Sequence, residues 1–551
     1  MKRKIYTTLA LSALTAMTLS AQSAFDIYQL SQGDLRGTAR FMSMGGAFTA
    51  LGGDLTTLSQ NPAGIGVYRY SEIGATLDIN LQGVTSDFLS NKEKQNQTKV
   101  ACNNFGYIGT ISLGSSSVMP FFNWGVSYSR AASFDRKYSG SASGSPGSLS
   151  NYVAGYTAAE GWPTKALNGY QQGYNPFQDA YEGSYASWLS VLMYNSYAIN
   201  PSNDNSTDYA GLYNGTPGAK TFDVVEKGYV DEYSLDFGGN ILNTVYWGIG
   251  FGITDISYQN YTYYTEAFEN ATITNANANG HTTGSARLDY ESYKHMSGTG
   301  FNFKIGVIAR PINELRLGVA FHTPTYYNIN YDGWAQTQYR YQFSPGSRPD
   351  YNGYFPNNST DGCDDYFSFK PRTPYRLMFG AAGIIGQRAI ISVDYEMRGY
   401  GDLNAKDDNG NQYNDITGDL KTYYQNMNII RLGAEYRLTP NWSIRAGYSW
   451  QSSPCKTELK DGSADIYVQG PDNTETQPSF ITDNSTQYVT AGLGYHYKSF
   501  YVDAAYVYRH RSSDWVAYPD YNGADGRRVY SPTASLSDNQ NSIVLSMGFK
   551  F

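Results

Sequence analysis

The side chains that most often carry catalysis are few in this chain of 551 residues, and they are widely scattered. The histidines are His281, His295, His322, His496 and His510. The sequence contains no Gly-x-Ser-x-Gly nucleophile elbow and no His-Glu-x-x-His zinc motif. A nucleophile and a base can also meet in space without a local motif. The absence of any such signature nevertheless favours a protein that is not an enzyme.

Metal binding has equally little support in the sequence. The cysteines, Cys102, Cys363 and Cys455, are odd in number and too far apart for a CxxC metal site. Cys363 and Cys455 are either free thiols or a pair that joins two loops. The stretch DDNGNQYNDITGD from Asp407 imitates a calcium-binding loop, but it lacks the central Gly and the final Glu at the required positions. We therefore expect no metal and no cofactor.

Apolar and basic side chains near the start of the chain favour ligand binding over catalysis. A guanidinium can hold a ligand carboxylate through charge-assisted hydrogen bonds. It can equally pair with a carboxylate elsewhere in the chain, so both interpretations stay open. The candidate side chains are Phe41, Met44, Phe48, Arg36, Arg40 and Arg69.

A second apolar group lies in the stretch DAYEGSYASWLSVLMYNSYAIN. Its members Trp188, Leu189, Leu192 and Met193 fall on one face of a possible helix. If that face were exposed, it would form a patch that captures apolar ligands at the surface. If it were buried, the helix would simply pack over the structure beneath it.

Composition indicates which elements must position these groups. Tyrosine contributes 52 residues and glycine 57, whereas charged residues make up only 16% of the chain, below the usual quarter. Disordered chains lack aromatic residues, and a mean hydropathy of −0.47 does not fit a helical membrane protein. The composition favours a large antiparallel sheet, in particular a membrane β-barrel. The net charge of −8 gives no footprint for nucleic acid.

The first residues are typical of an export signal. Lys2, Arg3 and Lys4 precede an apolar stretch that ends at Leu19 and is too short to span a bilayer comfortably. We predict a signal peptide over residues 1–21, cleaved after Ala21. Cleavage after Ala24 and a retained anchor helix are the alternatives.

Beyond residue 70, apolar and polar residues alternate in runs of about ten residues or more, the length of a membrane strand. Every second connection between runs is short, and the others are long and polar, which is the layout of outer-membrane barrels. The sequence therefore predicts an all-β fold, a 14-stranded antiparallel transmembrane β-barrel over residues 71–551, with its largest loop at 143–228. The runs lie near 72–85, 104–114, 123–142, 229–241, 244–268, 285–311, 315–341, 365–386, 388–404, 424–439, 442–454, 486–497, 499–515 and 539–551.

The last run makes the two faces of a strand visible. Ile543, Leu545, Met547, Phe549 and Phe551 share one face, which suits lipid, and the residues between them suit a wetter lumen. A terminal Phe after such a run also resembles the signature by which outer-membrane barrels are recognised for insertion. We therefore expect the barrel assembly machinery to be a partner.

The residues before the first run are predicted to fill the barrel. Fourteen strands enclose too wide a space to be filled by the barrel's own side chains, whereas 16–18 strands leave a water channel. Residues 22–70 are rich in glycine, and Asn61-Pro62 ends a short helix because the residue before a proline is pushed out of the α region. We predict that they form an N-terminal plug, or hatch, in the lumen.

The stretch GTARFMSMGGAFTALGGDLTTLSQNPAGIG resembles the N-terminal hatch of the FadL/TodX family, which transports hydrophobic compounds across the outer membrane. The hatch motif of that family corresponds here to Asn61, Pro62 and Ala63, followed by Gly64. The stretches RPINELRLGVAFHTPTYYNINY and FKPRTPYRLMFGAAGIIGQRAIISVDYE also resemble the family. The family barrel has fourteen strands, but the insertion at 143–228 is longer than its typical early loop.

The resemblance implies passive uptake of hydrophobic compounds, such as long-chain fatty acids, across the outer membrane of a Gram-negative bacterium. A ligand would bind outside, move to a site against the hatch, and leave through a gap in the wall towards the lipid when the hatch shifts. The resemblance also implies that Phe25 reaches into the binding site, with a frayed terminus as the alternative. The expected partners are hydrophobic small molecules and the lipid bilayer with its lipopolysaccharide, and we expect a monomer.

Two other functions stay open. A surface binding or adhesion protein could use the barrel as a scaffold, which the long Tyr- and Asn-rich loops favour, although a scaffold needs no plug. A haem-binding receptor is the second alternative, although energy-coupled receptors have larger barrels and larger plugs.

Overall fold

The computed structural model describes residues 24–114, 116–168, 173–201, 206–274, 281–344, 352–360, 365–386, 388–464, 466, 474–523 and 526–551. The predicted signal peptide and Cys363 lie outside the described residues, so the predictions about them stay predictions. Cys102 and Cys455 are free thiols.

The chain forms a closed antiparallel β-barrel of 14 strands, as the sequence predicts. Each strand pairs with the strands that precede and follow it in the chain. The strands are β1 (Glu72–Phe88), β2 (Asn91–Ser112), β3 (Phe121–Ser133 and Arg136–Ser145), β4 (Gly218–Ile241), β5 (Val245–Thr274), β6 (His281–Ile312), β7 (Leu315–His322 and Tyr326–Phe343), β8 (Asn352–Ser359, Asp365–Arg372 and Arg376–Ile385), β9 (Ala389–Arg398 and Asn404–Lys406), β10 (Met427–Arg437), β11 (Trp442–Gln451), β12 (Phe480–Tyr497), β13 (Phe500–Val516) and β14 (Thr533–Lys550).

The first and last strands close the barrel. β1 pairs with β14 along its whole length, from Glu72 opposite Lys550 to Phe88 opposite Ala534. A salt bridge of 3.2 Å between Lys550 Nζ and Glu72 Oε2 lies at one end of this seam. Closure gives every strand two neighbours, so that no free edge would leave backbone N–H and C=O groups without partners in lipid.

Side chains alternate between an apolar outer face and an inner face of mixed polarity. In β14, Ile543, Leu545 and Met547 are 44–55% exposed, whereas Val544 and Ser546 are buried. The predicted facing of the last strand is thus confirmed. Exposed apolar side chains on the other strands continue this ring in the strand halves nearest the short turns, and we call the ring the apolar belt. Its members include Ile79, Leu81, Val100, Ile253, Phe301, Val319, Ile391 and Leu493.

Several strands extend further beyond the apolar belt than the alternation predicts. β2 begins at Asn91 instead of near 104, β4 at Gly218 instead of near 229, and β12 at Phe480 instead of near 486. Much of the interval between the predicted runs 244–268 and 285–311 is also strand, because β5 runs to Thr274 and β6 begins at His281. Above the belt the outer face contacts no lipid, so both faces become polar and the alternation disappears, as in NKEKQNQTKV at the start of β2.

Residues 24–70 pack against inward-facing residues of the barrel wall, and we call this segment the plug. They contain the short helices α1 (Ala24–Leu30), α2 (Ala39–Ser43) and α3 (Thr57–Gln60), followed by a 3-10 helix at Pro62–Val67. The plug side chains pack into apolar clusters together with inward-facing residues of the wall.

The connection between β3 and β4 forms a helical cap over the barrel mouth, with α4 (Leu149–Ala159), α5 (Thr164–Leu167) and α6 (Trp188–Asn195). Two further helices, α7 (Asn414–Tyr423) and α8 (Thr457–Lys460), lie in later connections. Among the described residues, no helix is long and apolar enough to cross a membrane.

The four apolar side chains that the sequence singles out in α6 are buried. Trp188, Leu189, Leu192 and Met193 have at most 4% of their surface exposed. They belong to an apolar core beneath the cap, together with inward-facing residues of the strands such as Trp515. Of the two interpretations, the structure shows a helix packed over the barrel and not an exposed capture patch.

Candidate functional site: the plugged lumen

The motif that carries the family resemblance builds a tight turn in the plug. Asn61 Oδ1 accepts a hydrogen bond from Ala63 N at 3.0 Å, and Asn61 Nδ2 donates to Thr49 O at 2.6 Å. Pro62 begins the 3-10 helix, and Gly64 N donates to Asn61 O at 2.9 Å. Asn61 therefore joins two parts of the plug, and the motif serves to shape the plug and its contact with the wall.

Glycines of the wall make room for this turn. A Cβ on Gly306 of β6 would lie 1.9 Å from Asn61 Oδ1, and a Cβ on Gly248 of β5 would lie 2.1 Å from Pro62 O. A side chain at either position would push the plug away, so the strands carry glycine where another backbone approaches closely. Sequence analysis missed these wall residues, although isolated glycines within strand runs were the available signal. At five other wall glycines an added Cβ would lie 2.2–2.8 Å from the nearest plug atom: Gly318, Gly380, Gly433, Gly447 and Gly492.

An arginine cluster holds the plug residue Asp34. Its Oδ1 lies 3.2 Å from both Arg509 Nη1 and Arg511 Nη2, and its Oδ2 lies 3.5 Å from Arg36 Nε. Burial favours the neutral carboxyl, but the guanidiniums of Arg509, Arg511 and Arg36 outweigh burial and lower the pKa of Asp34 to about 2. Asp34 is therefore a charged anchor between the plug and β13.

The three arginines predicted to be ligand cations have protein partners instead. Arg36 Nη1 also lies 3.2 Å from Asp78 Oδ2 of β1. Arg40 Nε lies 2.9 Å from Glu435 Oε2 of β10. Arg69 is near the surface and donates to Asn243 Oδ1 at 3.4 Å. The interpretation that plug arginines pair with carboxylates of the chain therefore describes Arg36 and Arg40 in this conformation, whereas Arg69 bonds to an amide.

The predicted apolar ligand contacts are divided between two places. Phe41, Met44 and Phe48 all belong to a cluster that packs the plug against wall residues such as Val544. Of these three, only Phe41 also lines the cavity that remains in the lumen, and Arg36 lines the same cavity.

The lumen cavity lies between the plug and the wall and has a volume of about 150 Å³. Three of its lining residues, Arg376, Arg398 and Arg431, bind the one carboxylate of Glu396 at 2.5–2.7 Å. Three positive charges therefore face the one buried negative charge of Glu396. The cavity is also lined by Arg36 and Arg130 and by the carboxylates Asp34 and Glu232, so cations outnumber carboxylates and favour an anionic group. Sequence analysis missed Glu396 and its three arginines because they come from three different strands and form no local motif.

Phe25 lies in a separate aromatic cage near the cap. Its ring stacks on Phe480 at 4.4 Å and on Tyr423 at 5.7 Å between ring centroids. Tyr28, one turn later in α1, stacks on Tyr424 at 4.6 Å. The alternative of a frayed terminus is not what the structure shows, because α1 fills a pocket built by the long connections.

The wall separates next to the plug, between β2 and β3. The two strands pair only from Ser112 opposite Phe121 to Asn104 opposite Ser129, although β2 runs on to Asn91. Above this level β3 bends inwards, and Arg136 and Tyr138 are buried.

A salt bridge of 2.5 Å between Lys99 Nζ and Asp135 Oδ1 crosses the separation. The remaining space is about 20 Å³, room for one water molecule. Arg36 of the plug lines this space as well as the lumen cavity. Val100 of β2, which belongs to the apolar belt, lies at the same level. One plug residue therefore touches both the lumen cavity and a closed seam in the wall at membrane height.

Comparison with solved structures agrees with this architecture. A crystal structure of a Pseudomonas aeruginosa FadL homologue is 11% identical, with a TM-score of 0.50, and the match covers 94% of this chain and 99% of that chain. This chain has the FadL-type fold. The predicted resemblance is thereby confirmed at the level of the fold. No protein-family model and no curated protein sequence matches the chain.

Two further solved structures match at a lower TM-score. The Pseudomonas putida toluene transporter TodX is 12% identical, with a TM-score of 0.45 over 94% of this chain and 99% of that chain. The Ralstonia pickettii toluene transporter TbuX is 12% identical, with a TM-score of 0.42 over 95% and 100%.

The described residues contain no cluster of three or more His, Cys, Asp or Glu side chains that could hold a metal ion. In the calcium-like stretch, Asp407 Oδ1 accepts a hydrogen bond from Asn411 N at 2.8 Å, as in an ordinary solvated turn.

Proposed function

We propose that this protein is a non-enzymatic channel in the outer membrane of a Gram-negative bacterium, and that it takes up hydrophobic compounds passively. The proposed division of the chain is a signal peptide over residues 1–21, a plug over 22–70 and a barrel over 71–551. The FadL-type fold, the apolar belt and a plug that fills the lumen support the proposal together. A surface scaffold would need neither the plug nor a lumen cavity beside it.

The seam between β2 and β3 is the observation that carries the proposal. We propose that the ligand leaves through this seam into the membrane. Transfer of an apolar chain out of water gains about 0.8 kcal/mol for each CH₂ group. An exit at the level of Val100 would let the chain pass into lipid without crossing a wet pore.

The proposed ligands carry a carboxylate head and an apolar chain, as long-chain fatty acids do. The excess of arginine around Glu396 supports the anionic head, and Phe41 and Arg36 line the same cavity. Phe25 would contact the ligand in the aromatic cage, at a binding site that the ligand occupies before the lumen cavity. We also propose that Arg40, Met44 and Phe48, which lie behind this lining, contact the ligand only when the plug moves.

Movement of the plug is required because the lumen cavity is small. A cavity of about 150 Å³ accommodates a molecule the size of benzene, but not a long chain. We propose that the plug gates the channel by shifting at Arg36, which would enlarge the lumen cavity and open the seam together.

The proposed partners, apart from ligand, are lipid, lipopolysaccharide and the barrel assembly machinery, and the proposed state is a monomer. Recognition by the machinery would use the apolar outer face of β14.

Cross-linking the seam tests the proposal. In a cysteine-free background (C102S, C363S, C455A), Lys99→Cys and Asp135→Cys are joined by a short bis-maleimide in purified protein, which is then placed in liposomes. We expect the cross-link to reduce uptake of a fluorescent long-chain fatty acid by at least tenfold, as a closed exit requires. The matched control joins Lys227→Cys to Gln259→Cys, which lie opposite each other on the paired strands β4 and β5.

The two parts of the proposal fail differently. No uptake by the unmodified protein, relative to empty liposomes, would exclude the channel. Equal uptake by the two cross-linked proteins would leave the channel standing but would exclude an exit through this seam.

A further inference from the structure

A second cavity lies on the outer side of the wall, where three neighbouring strands are interrupted at the same level. β7 breaks at residues 323–325, β8 at 373–375 and β9 at 399–403. Pro324 and Pro374 lie within the first two breaks and cannot donate to the strand ladder. The wall therefore opens into a cavity of about 620 Å³ on the side that faces away from the lumen.

The cavity is lined by three cationic side chains and by no carboxylate. Arg372 comes from β8, Lys370 lies two residues earlier, and Lys406 comes from β9. Lys370 Nζ is 3.8 Å from Asp408, which lies outside the cavity lining, and Lys406 forms no ion pair with any described residue. Arg372 Nη2 donates to Asp402 O at 2.7 Å, but its buried Nε has no hydrogen-bond partner within the described chain.

The register of β8 and β9 brings two of these cations together. Lys370 lies directly opposite Lys406 in the ladder. Like charges at directly opposed positions destabilise a sheet. An anion bound between the two ammonium groups would remove the repulsion, so this pair is a second and independent indication of an anionic ligand.

The other side of the cavity is apolar and belongs to the apolar belt. Phe301 and Ile253 are 64% and 63% exposed, and the ring of Tyr326 stacks on Phe301 with 5.5 Å between ring centroids. In register, Phe301 lies opposite Tyr326, and Tyr326 lies opposite Arg372. The cations therefore begin immediately above the last apolar row, on the side of the long connections, at the height of lipid head groups.

We propose that this cavity binds a phosphorylated glycolipid of the outer leaflet. The phosphate would lie between Lys370, Lys406 and Arg372, and an acyl chain would lie along Phe301 and Ile253. A volume of about 620 Å³ is within the range of small-molecule sites and suits a phosphosugar. The proposal rests on the membrane placement of the barrel but on neither the lumen nor the plug.

Charge complementarity selects this occupant over the alternatives. A neutral lipid would leave Lys406 without an anionic partner and the buried Nε of Arg372 without an acceptor. A free phosphate would leave the aromatic floor unused.

The test measures binding of bisphosphorylated lipid A to the full chain in detergent by native mass spectrometry. We expect Lys370→Gln combined with Lys406→Gln to weaken binding by at least about tenfold, because each basic residue near an anionic lipid adds attraction. The matched control combines Lys92→Gln with Lys94→Gln, which removes the same charge from exposed positions of β2. A heat-modifiable shift on a gel verifies that every variant is folded.

A second arm separates the lipid from its phosphate. Phe301→Asn is expected to weaken lipid A binding by about tenfold while the lysines remain, since it removes the apolar floor. Inorganic phosphate at millimolar concentration is expected not to displace lipid A.

Absence of lipid A binding by the unmodified chain, or equal binding by the lysine variant and its control, would overturn the site. Full displacement by inorganic phosphate would overturn the glycolipid and leave only an anion site. The lipid A binding assay does not depend on fatty-acid uptake, so the binding result and the uptake result are independent.

Discussion

Asn61 of the plug and Gly306 of β6 show how single residues fix the plug against the wall. The asparagine side chain fills the space that a wall side chain would otherwise occupy. The contact therefore depends on a small residue in a strand, a position where glycine carries an entropic cost. Because glycine at this position lets the wall and the plug approach closely, we expect the position not to tolerate even one methyl group.

Gly306→Ala is expected to destabilise plug docking by about 1–3 kcal/mol, because the new Cβ overlaps Asn61 Oδ1. Hydrogen exchange of the plug amides measures this loss. The matched control is Gly383→Ala in β8, where an added Cβ meets no atom within 4 Å. Equal exchange in the two variants would show that the close approach does not matter.

The charge of Asp34 gives plug docking a dependence on pH. Its pKa falls from an ordinary value of 3.8 to about 2, so its stabilisation is complete above pH 4 and is lost as the pH falls through about 2. The lost contribution is roughly 2 kcal/mol. We expect Asp34→Asn to weaken docking at pH 7 and to remove this part of the acid sensitivity.

Hydrogen exchange of the plug amides between pH 5 and pH 2.5, corrected for the intrinsic exchange rate, checks this prediction. The control is Asp87→Asn, because Asp87 forms a more exposed ion pair with Lys92 at 3.6 Å. If Asp34→Asn retained the full acid sensitivity, another carboxylate would be responsible.

At the residue scale, sequence analysis named plug residues of the lumen cavity but not the wall residues that line it. Arg36, Phe41 and Asn61 could be named because they stand in one short glycine-rich segment. Glu396 and its arginines could not be named, because β8, β9 and β10 bring them together and no spacing in the sequence reflects that.

At the scale of elements, the strand count could be predicted, but the strand ends could not. Lipid contact imposes a strict alternation on each strand only within the apolar belt, so each run marks where a strand crosses the belt. Above the belt, a strand such as β2 continues through lysine, glutamine and asparagine without any pattern. The inward bend of β3 could not be predicted from the sequence either, because the bend depends on how β4 pairs with β3.

Helix α1 fills the aromatic cage with the ring of Phe25. Phe25→Ala is expected to vacate the pocket between Phe480 and Tyr423 and to destabilise the docking of α1 by about 3 kcal/mol. We therefore expect tighter binding of a fluorescent hydrophobic probe, since the probe no longer competes with Phe25.

A titration of probe fluorescence measures this change. The control is Gln29→Ala in the same helix, because Gln29 lies one turn after Phe25 but is half-buried and contributes no ring to the aromatic cage. Unchanged probe affinity in Phe25→Ala would show that the cage is not a ligand site.

At the scale of the whole molecule, we propose that the plug seals a barrel that would otherwise be an open pore. Fourteen strands enclose more space than their own side chains fill. Deletion of residues 24–66 is therefore expected to give large, steady ion currents in planar bilayers, whereas the intact protein is expected to conduct little.

Deletion of residues 407–411, which form an exposed turn closed by a hydrogen bond from Asp407 N to Asn411 O, is the control and should stay sealed. Small currents from the plug deletion, in protein that still shows heat-modifiable mobility, would mean that the cap and not the plug seals the barrel.

The long upper part of β5 determines how far the mouth stands from the bilayer. From Thr254 to Thr274 this strand would rise roughly 50 Å at about 3.3 Å per residue and a tilt near 40°. The entrance would then open above the inner sugars of the surface coat. A hydrophobic molecule arriving from the medium would contact protein before it reached that carbohydrate layer. The helical cap would also be accessible to antibodies and phages.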